Sequence, residues 1–446
     1  MNPEEPATES PTTEAIPIPA PTPEPMSMGG VLRIPVMRRL WYAQIVSVFG
    51  DFLALFAVIT YMTFKLRANA QQITGIQIAY LAPIAILGVL SGVFVDRWPV
   101  KLTLVSSDFL RAGLVLGLMF VHTPWGFYAV LAAISIVSSF FSPAQGVALR
   151  TAVPRHGYAS SQALMQQVMF VMRIIGGPIA TVLVSWLGYR FCYSIDTLSF
   201  LASGTLIASL ALAIPAKSAV VAEPASTTGS AVVLNEPTGL VRIWRDMKQG
   251  ASFIVHHAAV FFVILALASA MFVLGCFGPL IALYVRDILH ANKLIFGLTS
   301  AMIGLGMLLG VNLVNARAKH MKATTLVYFG LTGIGIGTFL LAALPHLAST
   351  LFGLFLVGFS AAAIIVPSQT LIALETPQEM MGRVGSTVMS AVFSAQIAGL
   401  ILSGFLTEHT SIRRVFALCT VMLAVIGIIG KLWMHPHDEK PLSAGT

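Results

Sequence analysis

Residues 258–285 read AAVFFVILALASAMFVLGCFGPLIALYV, a run without one charged side chain. As an α-helix it is about 42 Å long at ~1.5 Å per residue, enough to cross a hydrocarbon core of about 30 Å. Working outward, similar runs recur from Met37 to Trp433, separated by short polar turns. Their bounds fall near 38–65, 74–95, 101–121, 125–149, 159–187, 190–214, 253–285, 294–316, 324–344, 347–374, 382–407 and 411–433. In lipid a backbone must satisfy its own polar groups, which a helix does. The sequence therefore predicts an all-α membrane protein with twelve transmembrane helices. Composition agrees: 57% of the 446 residues are hydrophobic and 10% are charged, where a soluble domain carries about 25% charge.

The flanking segments differ. Residues 1–30 hold eight prolines and five Glu with no Lys or Arg, a composition that cannot bury enough surface to fold and predicts a disordered or extended cytosolic tail. It has no basic n-region of the kind a cleavable signal begins with. Residues 215–249 are polar, with Lys217, Glu223, Pro224, Arg242, Arg245 and Lys248, and read as a cytosolic linker between two six-helix bundles at 37–214 and 250–434. Residues 435–446 form a second cytosolic tail. The net charge of +8 has no soluble domain in which to bind nucleic acid, so it is read as loop charge. With both termini cytosolic, seventeen Lys and Arg fall on the cytosolic side and seven on the other, as expected where basic loops stay inside. Cys192, Cys276 and Cys419 lie in or at the ends of spans, with neither zinc nor disulfide spacing.

The halves echo each other. Pro143-Ala-Gln145 leads to Pro154, and 223 to 224 residues later Pro367-Ser-Gln369 leads to Pro377. A parallel repeat of six helices predicts two pseudo-symmetric bundles around a central path. The turn after the second span reads Gly92-Val-Phe-Val-Asp96-Arg97-Trp98-Pro99-Val100-Lys101. Its Gly92, Asp96, Arg97 and Lys101 resemble the signature Gly-x-x-x-Asp-Arg-x-Gly-Arg-Arg/Lys of the major facilitator superfamily, with Pro99 and Val100 departing from it. The resemblance spans about residues 37–434 and implies secondary transport across the cell membrane. In that family the motif acts as a cytosolic gate. Physically, Asp96 suits the positive N-terminus of a helix in the other bundle, near Gly382. The bland reading is a basic turn that fixes topology. Gly50-Asp51, Asp108-Phe-Leu-Arg111, Ser142-Pro-Ala-Gln145 and Gly382-Arg383-Val384 resemble an exporter subgroup that includes macrolide-efflux and siderophore-export proteins.

Charges at membrane depth are costly and default to function. Asp51 in span one, Arg111 in span three, Arg173 in span five and Asp196 nearer the outer side of span six are all in the first half; the second half has none at mid-depth. A carboxyl without a countercharge in apolar surroundings takes up a proton, and one beside Arg stays ionised. Three roles are therefore open for Asp51: proton coupling, substrate contact, or an ion pair with Arg111 or Arg173. Gln44, Ser47 and Asp51 share one helix face. So do Ser135, Ser138, Ser142 and Gln145; Gln162, Gln166, Arg173 and Gly177; and Thr387, Ser390 and Ser394. A hydrated cavity or interhelical hydrogen bonds would each explain the stripes. Gly176-Gly177-Pro178 resembles part of the family's exporter motif and predicts a kink or a close helix contact. Gly88/Gly92, Gly113/Gly117, Gly306/Gly310 and Gly333/Gly337 are small-residue pairs for helix packing.

No Gly-x-x-x-x-Gly-Lys-Ser/Thr and no His-Glu-x-x-His occurs, so neither a nucleotide cofactor nor a metal is expected. The expected partners are a small amphipathic substrate, protons and the bilayer. The leading expectation is proton-coupled efflux by alternating access, through Asp51, Arg111, Arg173, Gln44, Gln166, Ser142 and Gln145. A lysophospholipid flippase of the same fold, and more remotely a membrane-embedded enzyme, are the alternatives.

Overall fold

The computed structural model describes residues 26–95, 98–210, 257–317, 321–377 and 380–433, with isolated positions between 249 and 255. The expected linker and carboxy-terminal tail lie almost wholly outside these residues, as do residues 1–25, Asp96 and Arg97. A short helix, α1 (Met28–Leu32), precedes twelve long ones: α2 (Pro35–Thr60), α3 (Ala70–Val95), α4 (Val100–Gly117), α5 (Pro124–Ala152), α6 (Tyr158–Trp186), α7 (Tyr189–Ala208), α8 (Ala258–Leu283), α9 (Lys293–Arg317), α10 (Ala323–Ala343), α11 (Leu347–Glu375), α12 (Met381–His409) and α13 (Ile412–Trp433). All twelve are long and apolar enough to cross a membrane. An even number of crossings returns both ends of this body to one side.

The repeat is exact in register. The helices starting at Ala70, Val100, Pro124, Tyr158 and Tyr189 recur 223 residues later at Lys293, Ala323, Leu347, Met381 and Ile412. Its most specific part is the end of the first helix in each half. Both α2 and α8 finish in a π-helical turn, Tyr61–Lys65 and Tyr284–Ile288. Ala68 N–H donates to Met62 O (2.9 Å), and Ala291 N–H donates to Val285 O (2.9 Å). Arg67 (φ 54°) and His290 (φ 49°) turn the chain through the left-handed region, where a non-glycine residue is uncommon. Asn69 and Asn292 then start the next helices, their Oδ1 atoms accepting from Gln72 N–H (2.9 Å) and Ile295 N–H (3.2 Å).

The halves meet along α3 against α12 and α6 against α9. Hydrogen bonds across this seam cluster at the end remote from the chain termini. Arg286 Nη1 donates to Thr63 O and Ala68 O, each at 2.8 Å. Asn69 and Gln71 donate to the Glu408 carboxylate, and Lys293 Nζ donates to Val184 O at 3.3 Å. Arg286 is the repeat equivalent of Thr63, so this contact crosses the pseudo-twofold axis itself.

Two expectations change. The tail was expected to stay without fixed structure through residue 30, yet Met26 N–H donates to His156 O (3.0 Å), Ser160 Oγ donates to Met26 O (2.6 Å), and Val31 is fully buried. The proline-rich composition ends at Pro25, and Ser27 caps α1 through Gly30 N–H, which is why order begins there. Of the small-residue pairs, Gly113 and Gly117 meet nothing within 4 Å, whereas Gly306 and Gly310 lie against the α11 backbone at Phe355 and Phe359. Spacing alone does not say whether a partner helix faces the pair. The three cysteines are free and buried, and Cys276 Sγ donates to Gly399 O.

Candidate functional site

The polar centre of the first half is built from α2, α4 and α7. Asp108 and Arg111, one turn apart on α4, form an ion pair with side chains almost wholly buried. The second Asp108 oxygen accepts from Ser203 Oγ of α7 at 2.6 Å. The Arg111 guanidinium lies between two rings, Phe141 of α5 and Phe200 of α7, with each ring centroid 4.4 Å away. A desolvated cation between aromatic faces gains about 2 kcal/mol per face, so this guanidinium is held on every side.

Asp196 of α7 is 1% exposed. Its Oδ1 accepts from Ser199 Oγ at 3.2 Å, while Oδ2 has no hydrogen-bond partner among the described residues. It lies within electrostatic reach of Asp51 and Arg111. Asp51, one helix over on α2, is partly exposed and within reach of Arg111 and Asp108. Gly50 permits this approach, because a methyl group there would strike Ser199 Oγ and Asp196 Oδ1. The Tyr80 hydroxyl of α3 is within reach of Asp51, Arg111 and Asp196. Asp108 thus pairs with the one described guanidinium, and Asp51 and Asp196 lie within its electrostatic reach.

A second polar layer lies nearer the termini. Gln145 Nε2 of α5 donates to Gln44 Oε1 of α2 at 2.7 Å, joining two of the expected site residues. Ser135 Oγ donates across to Tyr80 O at 2.6 Å, and Ser138 returns its hydroxyl to Ile134 O of its own helix. Interhelical bonding therefore accounts for much of the α5 stripe. Ser142 and Gln166 are exposed. Arg173 lies on α6, and its side chain is outside the described set. Gly176 and Gly177 are close-contact positions: a methyl group would meet Phe52 Cβ at 2.7 Å from the first, and Phe56 Cζ at 2.8 Å with Ser300 Cβ at 3.3 Å from the second. Pro178 sits within a continuous α6, so this segment serves packing at the seam rather than a break. Of the gating motif, Gly92 ends within α3, and Lys101 Nζ donates to Leu210 O at 2.7 Å. With Arg39, which donates to Ser209 O at 3.0 Å, it satisfies the carbonyl end of α7.

Of the roles open for Asp51, an ion pair with Arg111 is not formed: the ion-pair partner of Arg111 is Asp108, three positions away, and the Arg173 side chain lies outside the described set. Asp196 belongs to the same cluster despite its place nearer the other end of its helix. The i, i+3 spacing of Asp108 and Arg111, and the three-and-four spacing of Asp196, Ser199 and Ser203, are the signals that mark them.

Comparison with known proteins gives this geometry its context. A profile of the Major Facilitator Superfamily matches residues 40–395 and, again, 263–445. The chain is 24% identical over 400 residues to the uncharacterized MFS-type transporter YfiS of Bacillus subtilis (strain 168), covering 88% of this chain and 92% of that one. It is 22% identical over 377 residues to the multidrug efflux pump Tap of Mycolicibacterium fortuitum, covering 81% and 87%. A crystal structure of a variant of the nucleoside transporter NupG superposes with a TM-score of 0.68 at 13% identity, covering 90% of this chain and all of that one. Twelve helices in two repeats, a family profile over nearly the whole body and relatives of full length converge: the chain belongs to the Major Facilitator Superfamily and is a multi-pass membrane transporter, not an enzyme.

Proposed function

We propose that this transporter is a proton-coupled exporter of a small amphipathic molecule that works by alternating access in the cell membrane, with both termini in the cytosol. One observation carries the reading: Asp108 is ion-paired with Arg111 in the interior of the first bundle, and Asp51 and Asp196 lie within electrostatic reach of that guanidinium with no ion-pair partner of their own among the described residues. Like charges within reach of each other in a low-dielectric interior repel more strongly than they would in water. Asp108 is neutralised by Arg111, which leaves Asp51 and Asp196 to be balanced by protons or by a cationic guest. A site that accepts either, but not both, exchanges one for the other. Exchange becomes antiport when the site faces each side in turn.

The seam supports the second part. Arg286, Glu408 and Lys293 hold the bundles together at the end remote from the termini. With the termini in the cytosol, that is the outer end, and the motif of Gly92, Asp96, Arg97 and Lys101 is the gate at the other. The efflux activity named for Tap supports the outward direction. The flippase alternative needs a buried arginine free to receive a phosphate; among the described side chains Arg111 is already taken by Asp108, Phe141 and Phe200, and Arg173 lies outside them.

Proteoliposomes with an imposed pH gradient and a fluorescent lipophilic cation such as ethidium test the proposal. Wild-type protein should drive the dye against its gradient, and Asp51→Asn or Asp196→Asn should slow this by at least about tenfold, equivalent to ~1.4 kcal/mol. Full gradient-driven flux in both variants would refute proton coupling at this cluster. Flux of a labelled lysophospholipid in place of the dye would establish the flippase.

A further inference from the structure

The first bundle carries a second polar concavity, at the end remote from the termini and away from the carboxyl cluster. It encloses about 310 Å³ between the ends of α2, α4 and α6 and the starts of α5 and α7. Lys65, His122 and Arg190 stand among its lining residues with Tyr61, Tyr189 and Tyr193. The segments 61–69, 117–128 and 186–195 that form it contain no Asp or Glu. Tyr193 is 2% exposed, and its hydroxyl has no hydrogen-bond partner among the described residues. The start of α7 lies here too: Gly188, at φ 84°, provides no side-chain cap, so the first N–H groups of Tyr189 and Arg190 lack one.

The repeat supplies an internal control. Arg413 is the equivalent of Arg190, and its guanidinium is spent on Ala342 O (2.7 Å) and Ala343 O (3.1 Å). Tyr284, the equivalent of Tyr61, donates its hydroxyl to Leu341 O at 2.9 Å. Phe416 stands where the first half has Tyr193, and it packs against Phe277 and Tyr284. The second half thus fills this corner and satisfies its polar groups internally. In the first half Lys65 and Arg190 are exposed, the Arg190 guanidinium makes no hydrogen bond among the described residues, and a buried phenol is left over. Around the rim Phe120, Trp125 and Trp186 are 76–80% exposed, a belt of aromatic residues of the kind that marks headgroup depth.

We propose that this concavity is a binding site for a phosphate-bearing anion, held by Lys65, Arg190 and the open start of α7, with Tyr193 as a further donor. Cations with no ion-pair partner among the described residues, free helix N–H groups and an unpartnered hydroxyl together form a donor set for anionic oxygens. The source of that phosphate is either the headgroup of an anionic phospholipid in the adjoining leaflet or a soluble phosphate ester. The site is independent of the transport reading, because none of its residues belongs to the carboxyl cluster.

Thermal unfolding of the full chain in an uncharged detergent, titrated with dioleoylphosphatidylglycerol, dioleoylphosphatidylcholine or glycerol phosphate, tests it. Phosphatidylglycerol should raise the midpoint saturably, and the zwitterionic phosphatidylcholine should do so only weakly. Lys65→Gln with Arg190→Gln should weaken the apparent affinity by about tenfold or more, since both charge-assisted contacts to the anion are lost. Tyr193→Phe should weaken it by a smaller factor. Arg414→Gln, an exposed basic residue at the same end of the other half, should leave it unchanged. Saturation by glycerol phosphate as well would identify a soluble ester as the ligand, and a response to phosphatidylglycerol alone would identify the lipid. Equal responses to the two lipids, an affinity kept within twofold in the Lys65/Arg190 double variant, or an equal loss in Arg414→Gln would each overturn the site.

Discussion

The two halves share a scaffold and fill it differently. At the 223-residue offset, Asp51 corresponds to Leu274, Asp108 to Leu331, Arg111 to Ile334, Asp196 to Cys419 and Phe200 to Leu423. Every charged member of the cluster faces an apolar counterpart. What the second half has instead is close contact between helices at glycine. Gly306 and Gly310 lie on the Phe355 and Phe359 carbonyls, Gly358 on that of Ile303, and Gly275 and Gly399 on those of Gln396 and Phe272. In lipid the hydrophobic effect does not press helices together, so backbone proximity and van der Waals contact must. The second half is thus the one whose helices approach each other backbone to backbone. A fold duplicated in register leaves one copy free to hold charges because the other needs none.

The comparison breaks most sharply at Arg111. Arg111→Ala leaves Asp108 buried without its countercharge, which should destabilise the protein by about 3–5 kcal/mol. The measurement is the loss in thermal midpoint in detergent, with transport abolished. Replacing both partners by the residues of the second half, Asp108→Leu with Arg111→Ile, should recover most of that stability without recovering transport. A double variant no more stable than Arg111→Ala would mean that the pair is part of the scaffold and not an addition to it.

Much of this difference is legible in the sequence. The apolar runs fix twelve helices because nothing else satisfies a backbone in lipid, and the absence of mid-depth charge from the second half is visible by eye. The pairing within the cluster is less so. Asp51 and Arg111 attract attention as isolated charges in apolar helices, whereas Asp108 enters only through the Asp108-Phe-Leu-Arg111 motif until the i, i+3 geometry is built. Hydroxyl stripes mislead for a physical reason: Ser138 returns its proton to its own helix, at Ile134 O, so a polar face need not be a wet one. The π-helical turns are hidden because the extra residue has no composition of its own. Only the repetition of Tyr61, Ala68 and Asn69 as Tyr284, Ala291 and Asn292 betrays them.

The tight fit of the second half gives the next effect. In Gly306→Ala the new methyl would press on the Phe355 carbonyl and on Phe359 N at 2.8 Å. Backbone cannot rotate away, so overpacking should cost about 1–3 kcal/mol, read as a lower unfolding midpoint with the cluster intact. Across the axis, Arg286→Gln removes both bonds to Thr63 O and Ala68 O. Its expected effect is on the balance of states more than on folding. A loss of about 1.4 kcal/mol shifts that balance roughly tenfold toward opening at this end. Faster alkylation of a cysteine placed at Gln77, which faces Gly278 across the seam, measures the shift; an unchanged rate would remove Arg286 from the closure.

The smallest effect separates shared sequence pattern from shared packing. Gly113 and Gly117 have the same spacing as Gly306 and Gly310, yet a methyl group at Gly113 meets nothing within 4 Å. Its helix start, Val100, is in register with Ala323, so Gly113 corresponds to Ile336, which is 48% exposed. The position therefore faces outward in both copies. With no clash to offset the gain in helix propensity, Gly113→Ala should stabilise by about 0.4–1 kcal/mol. A small rise in the unfolding midpoint is the expected reading. A fall of the size predicted for Gly306→Ala would show that another helix covers this face in the membrane.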